Sequence, residues 1–239
     1  MLTGINLGDI LFIDIETVPQ VYNFEKLDDS WKELWSDKTK FLQERESKTA
    51  GDLYQRSAIY AEFGKIICIS TAFFYQSGSE ERLRVKSFYG KDESKLLQQF
   101  LIMIEKFDQK GPKFLCGHNS KEFDIPFIAR RSLVNRLELP PMFNLAGKKP
   151  WEVNHLDTMH LWKFGDYKHF TSLKLLAKLF DVPTPKGDIS GADVGRVYWE
   201  EDDLGRIKTY CEKDTIAVAR LVQRFRNLEI IHDDYIEFV

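Results

Sequence analysis

A chain of 239 residues suits one α/β domain with room for an insertion, and its 43% apolar content supplies a sizeable core. Charged residues make up 30% of the chain, mixed in sign and netting to −3, which excludes a surface coated in positive charge for gripping long duplex. It does not exclude a nucleic-acid enzyme, because a carboxylate-rich metal site subtracts charge that bound cations restore.

Cys68, Cys116 and Cys211 are odd in number and widely spaced, with no CxxC, and fit free thiols rather than a disulfide framework or a zinc site. The opening MLTGINLGDILFIDIETV lacks a basic n-region, and Asp14 and Glu16 break its apolar run. It is read as neither a signal peptide nor a membrane span, so the expected location is cytoplasmic.

In chain order, residues 11–18 form a β-branched run closed by Pro19 and read as a buried strand. Residues 20–63 are too long for a structureless loop. Asp29 or Ser30 before Trp31, Leu34 and Trp35, then 52–62 with Gly64 as a stop, make this stretch a helical insertion that packs on the core rather than a second domain. Strands follow at 65–75 and 82–89, with a hairpin turn at Gly78 and Ser79. Residues 92–107 carry Leu96, Leu97, Phe100, Leu101, Ile104 and Phe107 at helical spacing.

Strand 113–118 leads through a turn into a helix starting near Pro126 and reaching about Arg136. Residues 154–162 read as a fifth extended segment. Thr171 or Ser172 caps a helix that stops before Pro183, and Asp202 or Asp203 caps a final helix over about 203–227. Three hairpin-like strands followed by strand–helix alternation imply an α/β mixed five-stranded sheet flanked by helices, an order that resembles a ribonuclease-H-like core, with residues 1–239 as a single domain.

Several carboxylates do not fit a plain core. Asp14 and Glu16 are two apart on a strand and share one face, while Leu11, Ile13 and Ile15 take the other. Side by side they repel, and burying them is costly unless a cation sits between them; the alternative is a solvated strand end. Asp214 lies one turn from Cys211 and Val218, on the inward stripe of the last helix, with Tyr210 four residues earlier. A metal or cation beside it is one reading, and a Tyr–Asp hydrogen bond at the core edge is the other. Tyr198 and Asp202 share this spacing, but their acidic run precedes a helix and is read as capping. Asp124 sits at a strand-to-helix junction after Gly117-His118-Asn119. It is either placed there for a ligand or is only a helix-entry residue, and Asn119 only a turn former.

Asp14-Ile15-Glu16 resembles the first motif of the DEDD 3′→5′ exonucleases, Asn119-x-x-x-Phe123-Asp124 the second, and Tyr210-x-x-x-Asp214 the third. Tyr210 stands four residues before the aspartate, and Thr209 occupies the place of the other subclass's histidine, so the resemblance is to the DEDDy branch. FGKIICIS, HNSKEFDIPFIARR, LDTMHLW and TSLKLLAKLF are similar to predicted exonucleases related to the exonuclease domain of family-B DNA polymerases.

The resemblance implies an exonuclease releasing nucleoside 5′-monophosphates from nucleic-acid 3′ ends, with single-stranded DNA favoured and RNA trimming the alternative. A non-catalytic nucleic-acid-binding module on the same fold is a further reading, against which all four carboxylates are present. A third is a partner protein docking through Trp31 and Trp35 of the insertion. Asp14, Glu16, Asp124 and Asp214 would hold two divalent cations, Asp14 bridging both. Hard oxygen donors without His or Cys favour Mg²⁺ or Mn²⁺. Tyr210 would aim the attacking water, orientation being more plausible than general-base catalysis for a phenol. Thr17 could touch the terminal nucleotide, with Asn119 beside it. Phe123 could pack against base or sugar, or simply into the core. Asp157 is either a supporting carboxylate or a turn residue. Lys148, Lys149 and Trp151 suit phosphates and a stacked base, or form an ordinary charged loop. His118, His155 and His160 are assigned no metal.

Overall fold

The computed structural model describes residues 2, 4–108, 113–166, 168, 170–183 and 188–239. In chain order the elements are β1 (Ile10–Pro19), α1 (Asp29–Glu46), β2 (Gly64–Ser77), β3 (Glu80–Tyr89), α2 (Glu93–Asp108), β4 (Phe114–Gly117), α3 (Asp124–Val134), β5 (Leu156–Asp157), α4 (Thr158–Lys163), α5 (Leu173–Leu179), α6 (Val194–Arg196), α7 (Leu204–Phe225) and β6 (Ile236–Phe238). The strands form one mixed sheet of six in the order β5-β4-β1-β2-β3-β6. β1, β4 and β5 run parallel, while β2 is antiparallel to both β1 and β3.

The helix-flanked α/β sheet and the helical insertion after β1 match the sequence expectation, but two details differ. The sheet has a sixth strand, β6, parallel to β3 and held there by Glu237 pairing with Arg82 at 2.9 Å and Arg84 at 3.3 Å. Three residues are too few to show alternation, so only the returning chain after α7 reveals this strand. The fifth segment is extended only at Leu156–Asp157, because the Asp157 carboxylate accepts the Met159 and His160 N–H groups at 2.9 and 3.3 Å and starts α4. Helix α3 likewise begins two residues before Pro126, whose missing N–H costs nothing in the first turn.

Alternation along β1 divides the core. Leu11, Ile13 and Ile15 pack under α2 and α3 with Leu97, Phe100 and Ile128. Ile10 and Phe12 pack on the opposite face with Phe74, Val85, Val218 and Val222, beneath α7. Ser172 and Asp203 cap α5 and α7 through the N–H groups of Leu175 and Arg206, at 3.3 and 3.0 Å.

The insertion has its own small core of Leu27, Trp35, Leu53, Tyr54 and Phe63. Asp28, rather than Asp29 or Ser30, caps α1. Trp35 is fully buried, its indole N–H donating to the Ala50 carbonyl at 2.8 Å, so it is packing rather than a docking surface. The insertion returns against the sheet at Gly64, where a Cβ would lie 2.8 Å from the Ala58 carbonyl oxygen. A buried Arg131–Glu93 pair (2.6 Å) fastens the same corner, since Arg131 also donates to the Ala61 carbonyl and Glu93 accepts the Ile66 N–H. No described helix is long and apolar enough to cross a membrane.

Candidate active site

After Phe12, the side chains of β1 facing α7 are Asp14 and Glu16, two acids in an otherwise apolar file. The β1–β2 register slips immediately beyond them: Glu16 faces Cys68 and Thr17 faces Ile66, which leaves Ile67 as an extra residue on β2. A bulge of this kind bends the strand and re-aims neighbouring side chains. From above, α7 presents Cys211, whose thiol donates to the Asp14 backbone carbonyl at 3.4 Å, and one turn on, Asp214. Ligand atoms of Asp14, Glu16 and Cys211 all lie within 4.8 Å of one another.

The third contribution comes from the start of α3. β1 and β4 pair only over Ile10–Phe12 and then part, opening a crevice at their carboxyl ends. Gly117 is needed at the parting, since a Cβ there would sit 2.5 Å from Ser120 Cβ and 2.9 Å from the Ile13 carbonyl oxygen. Asn119 then adopts a left-handed conformation, φ +64°. Asp157, fully buried, holds this turn by accepting the Asn119 and Lys121 N–H groups at 3.0 Å each, besides capping α4. The chain thereby delivers Asp124, whose Oδ1 accepts the Ile15 N–H at 3.1 Å.

Burial, followed by the neighbouring charges of Glu16, Asp124 and Asp214, pushes the Asp14 carboxyl well above the ordinary carboxylate range. Glu16 is pushed up in the same way, by burial and then by Asp214, Cys68 and Asp124. Asp124 rises to about 7, mainly through burial, against the lowering effect of its backbone hydrogen bonds. Asp214 is raised by burial and eased by its contact with the Tyr210 hydroxyl, while Tyr210 is raised by burial and by the surrounding carboxylates. Asp14 Oδ2 is buried with no hydrogen-bond partner. Among the described residues no lysine or arginine pairs with any of the four acids. An orphaned anionic acceptor among three like charges is the arrangement a bound cation would satisfy, so these residues fit a divalent metal.

The structure thus brings Asp14, Glu16, Asp124, Tyr210 and Asp214 together. The Thr17 hydroxyl donates to the Ala58 carbonyl at 2.8 Å and so ties the insertion to β1. Phe123 is partly buried against Phe127, ring centroids 5.4 Å apart, and Asn119 Oδ1 is buried without a partner. The other Tyr-x-x-x-Asp pair is elsewhere: Tyr198 packs with Val18, Ile67 and Val197, and Asp202 forms an exposed ion pair with Lys91. His118 bonds Thr158 and the Thr171 carbonyl, His155 bonds Leu115 and the Met142 carbonyl, and His160 bonds Glu122. Sequence reasoning placed Cys211 beside Asp214 but not beside Asp14 and Glu16. Its position one turn before Asp214, on the same stripe, was the available signal.

A mixed sheet flanked by helices, with acids gathered where its central parallel strands part, is consistent with the ribonuclease-H-like fold. Within that class the chain belongs to the family of predicted 3′–5′ exonucleases related to the exonuclease domain of PolB, whose family model matches residues 58–233. The matched span holds Asp124, Tyr210 and Asp214. Asp14 and Glu16 precede it in sequence, and β1 brings them to the same place.

Proposed function

We propose that this chain is a metal-dependent 3′→5′ exonuclease that releases nucleoside 5′-monophosphates, with single-stranded DNA as its favoured substrate. The observation that carries the reading is the convergence of Asp14, Glu16, Asp124 and Asp214 from β1, α3 and α7, each carboxyl raised by burial and the Asp14 group by all three others as well. Asp14, Glu16, Asp124 and Asp214 would hold two divalent cations, Mg²⁺ or Mn²⁺. When bound, such ions lower the pKa of a water and neutralise charge on the scissile phosphate and the leaving 3′ oxygen.

The protein's own groups do the rest. Tyr210 keeps its proton, because burial and the nearby carboxylates disfavour the phenolate. Its hydroxyl is therefore a hydrogen-bonding group that positions the attacking water, not a base. Asn119 Oδ1, buried and unpaired, offers an acceptor to a donor on the terminal nucleotide. Phe123 lines the same junction, and Thr17 acts through the insertion it holds. Three free, buried thiols suit a reducing compartment such as the cytoplasm.

The test is digestion of matched 5′-labelled single-stranded DNA and RNA with Mn²⁺ or Mg²⁺, beside EDTA and Asp14→Ala controls. The expected result is a metal-dependent ladder shortening from the 3′ end, faster on DNA and absent in the variant. No cleavage of either strand by folded protein in Mn²⁺ would overturn the reading, and a preference for RNA would overturn the substrate assignment.

A further inference from the structure

Trp151, Phe164 and Phe170 are 76%, 77% and 68% exposed, among the most exposed large apolar side chains of the described residues. Leaving three aromatic rings in water forgoes burial energy and invites aggregation, and all three lie on one lysine-rich stretch of the chain, residues 146–178. Phe164 is also held at φ +46°, a left-handed conformation that costs free energy for any residue with a Cβ.

Two of these rings carry an ammonium on one face. Lys149 Nζ lies 5.3 Å from the Trp151 centroid, and Lys163 Nζ lies 4.1 Å from that of Phe170. Lys148, Lys149 and Lys163 have no carboxylate partner among the described residues. Between residues 146 and 178 the chain carries six lysines against three acids, one of them the buried Asp157, in a protein whose net charge is −3.

Both aromatic stations are fastened to the turn that delivers Asp124. Lys121 Nζ donates to the Val153 carbonyl at 2.8 Å, just beyond Trp151. His118 Nε2 donates to the Thr171 carbonyl at 2.9 Å, just beyond Phe170. Both stations thus hang from residues 118–121, the turn that leads into Asp124.

We propose that Trp151, Phe164 and Phe170, with Lys148, Lys149 and Lys163, form a platform on which single-stranded nucleic acid is held upstream of its 3′ end. Bases stack on the exposed ring faces and ammonium groups meet the phosphates between them. Stacking on aromatic faces tolerates any base, as an enzyme that degrades arbitrary sequence requires. This inference rests on the proposed function, which places a 3′ end at the acidic cluster and leaves the preceding strand in need of a path.

The experiment compares the 239-residue chain with Trp151→Ala, Phe170→Ala and Lys149→Ala/Lys163→Ala in Mn²⁺, positions that are exposed except for the partly buried Lys163. One substrate is the p-nitrophenyl ester of thymidine 5′-monophosphate, which reaches only the cleavage site. The other is an oligothymidylate of about 20 nucleotides, for which loss of one stacked base should raise KM about tenfold. The expected result is that rise with ester hydrolysis unchanged. Unchanged KM for the long strand overturns the platform while leaving the exonuclease reading intact. If wild type hydrolyses neither substrate, the exonuclease reading fails, and fluorescence anisotropy of the labelled oligothymidylate decides the platform. Binding weakened in the variants supports it, and absent or unweakened binding overturns it.

Discussion

Asp124 Oδ1 accepts the backbone N–H of Ile15 at 3.1 Å, so the first residue of α3 is bonded to β1 midway between Asp14 and Glu16. The strand provides the acids on either side, and the helix entry is positioned against them by the strand's own backbone. The bond also satisfies an N–H that β4 cannot reach once it has parted from β1 after Phe12.

Asp124→Asn keeps an acceptor for the Ile15 N–H but loses the charge, whereas Asp124→Ala leaves that N–H unpaired. In EDTA the Asn variant should be at least as stable as wild type, and the Ala variant less stable by about 1–3 kcal/mol, read as denaturation midpoints. Both should lose nuclease activity. A stable but active Asn variant would remove Asp124 from the chemistry.

The metal-free protein should lose stability as pH rises. Asp124 titrates near 7 when folded and in the ordinary carboxylate range when unfolded, and Asp14 and Glu16 are also raised. The native state therefore binds more protons in that interval, and the stabilisation, full at low pH, disappears as pH climbs through about 7. Partly buried His118 and His155 are lowered and titrate with the opposite sign, so the comparison is with Asp124→Asn, which keeps both. In EDTA the variant should lose less Tm between pH 5 and pH 7.5, by about 2–4 °C for each kcal/mol. A wild-type curve parallel to the variant's would count against the raised carboxyl.

Mn²⁺ should reverse this loss. Saturating ion at about 100 times its Kd stabilises by about 2.7 kcal/mol, visible as a higher Tm. Asp14→Asn removes both the orphaned Oδ2 charge and part of the repulsion. It should melt above wild type in EDTA and show a much smaller Mn²⁺ shift. An Asp14→Asn protein that melts below wild type in EDTA would show that repulsion is not what strains the site.

Asp157 touches none of the cluster by hydrogen bond, yet its carboxylate receives four backbone N–H groups, from Asn119, Lys121, Met159 and His160. Asparagine offers one acceptor oxygen, so Asp157→Asn should cost about 1–3 kcal/mol and shift the 118–121 turn. Activity should fall mainly through kcat, with the Mn²⁺-induced rise in Tm retained. Unchanged kcat in a destabilised variant would make Asp157 a fold residue alone.

Tyr210 and Tyr198 give a matched pair. Tyr210→Phe keeps the packing and removes the hydroxyl beside Asp214, and loss of a hydrogen bond worth about 1 kcal/mol should lower kcat roughly fivefold. Tyr198→Phe and Asp202→Asn should leave kcat unchanged, because their contacts are to Lys65 and Lys91 away from the acids. Equal losses at both tyrosines would argue for a general packing effect.

Local periodicity in the sequence determined much of this. Two-residue alternation put Asp14 and Glu16 on one face of the first strand, helical spacing put Asp214 on the inward stripe of the last helix, and the capping residues marked where α5 and α7 begin. The tertiary structure alone decided how these pieces meet. The bulge at Ile67, the approach of Cys211 to the Asp14 backbone, the use of the Thr17 hydroxyl by the insertion, and the bonds of Asp157 to the Asn119 and Lys121 N–H groups all join residues distant in sequence. The three-residue β6 and two-residue β5 exist only because neighbouring strands offer them an edge. Spacing records which way a side chain faces along its own element. Which element it meets is set by packing over the whole core, where each contact depends on all the others.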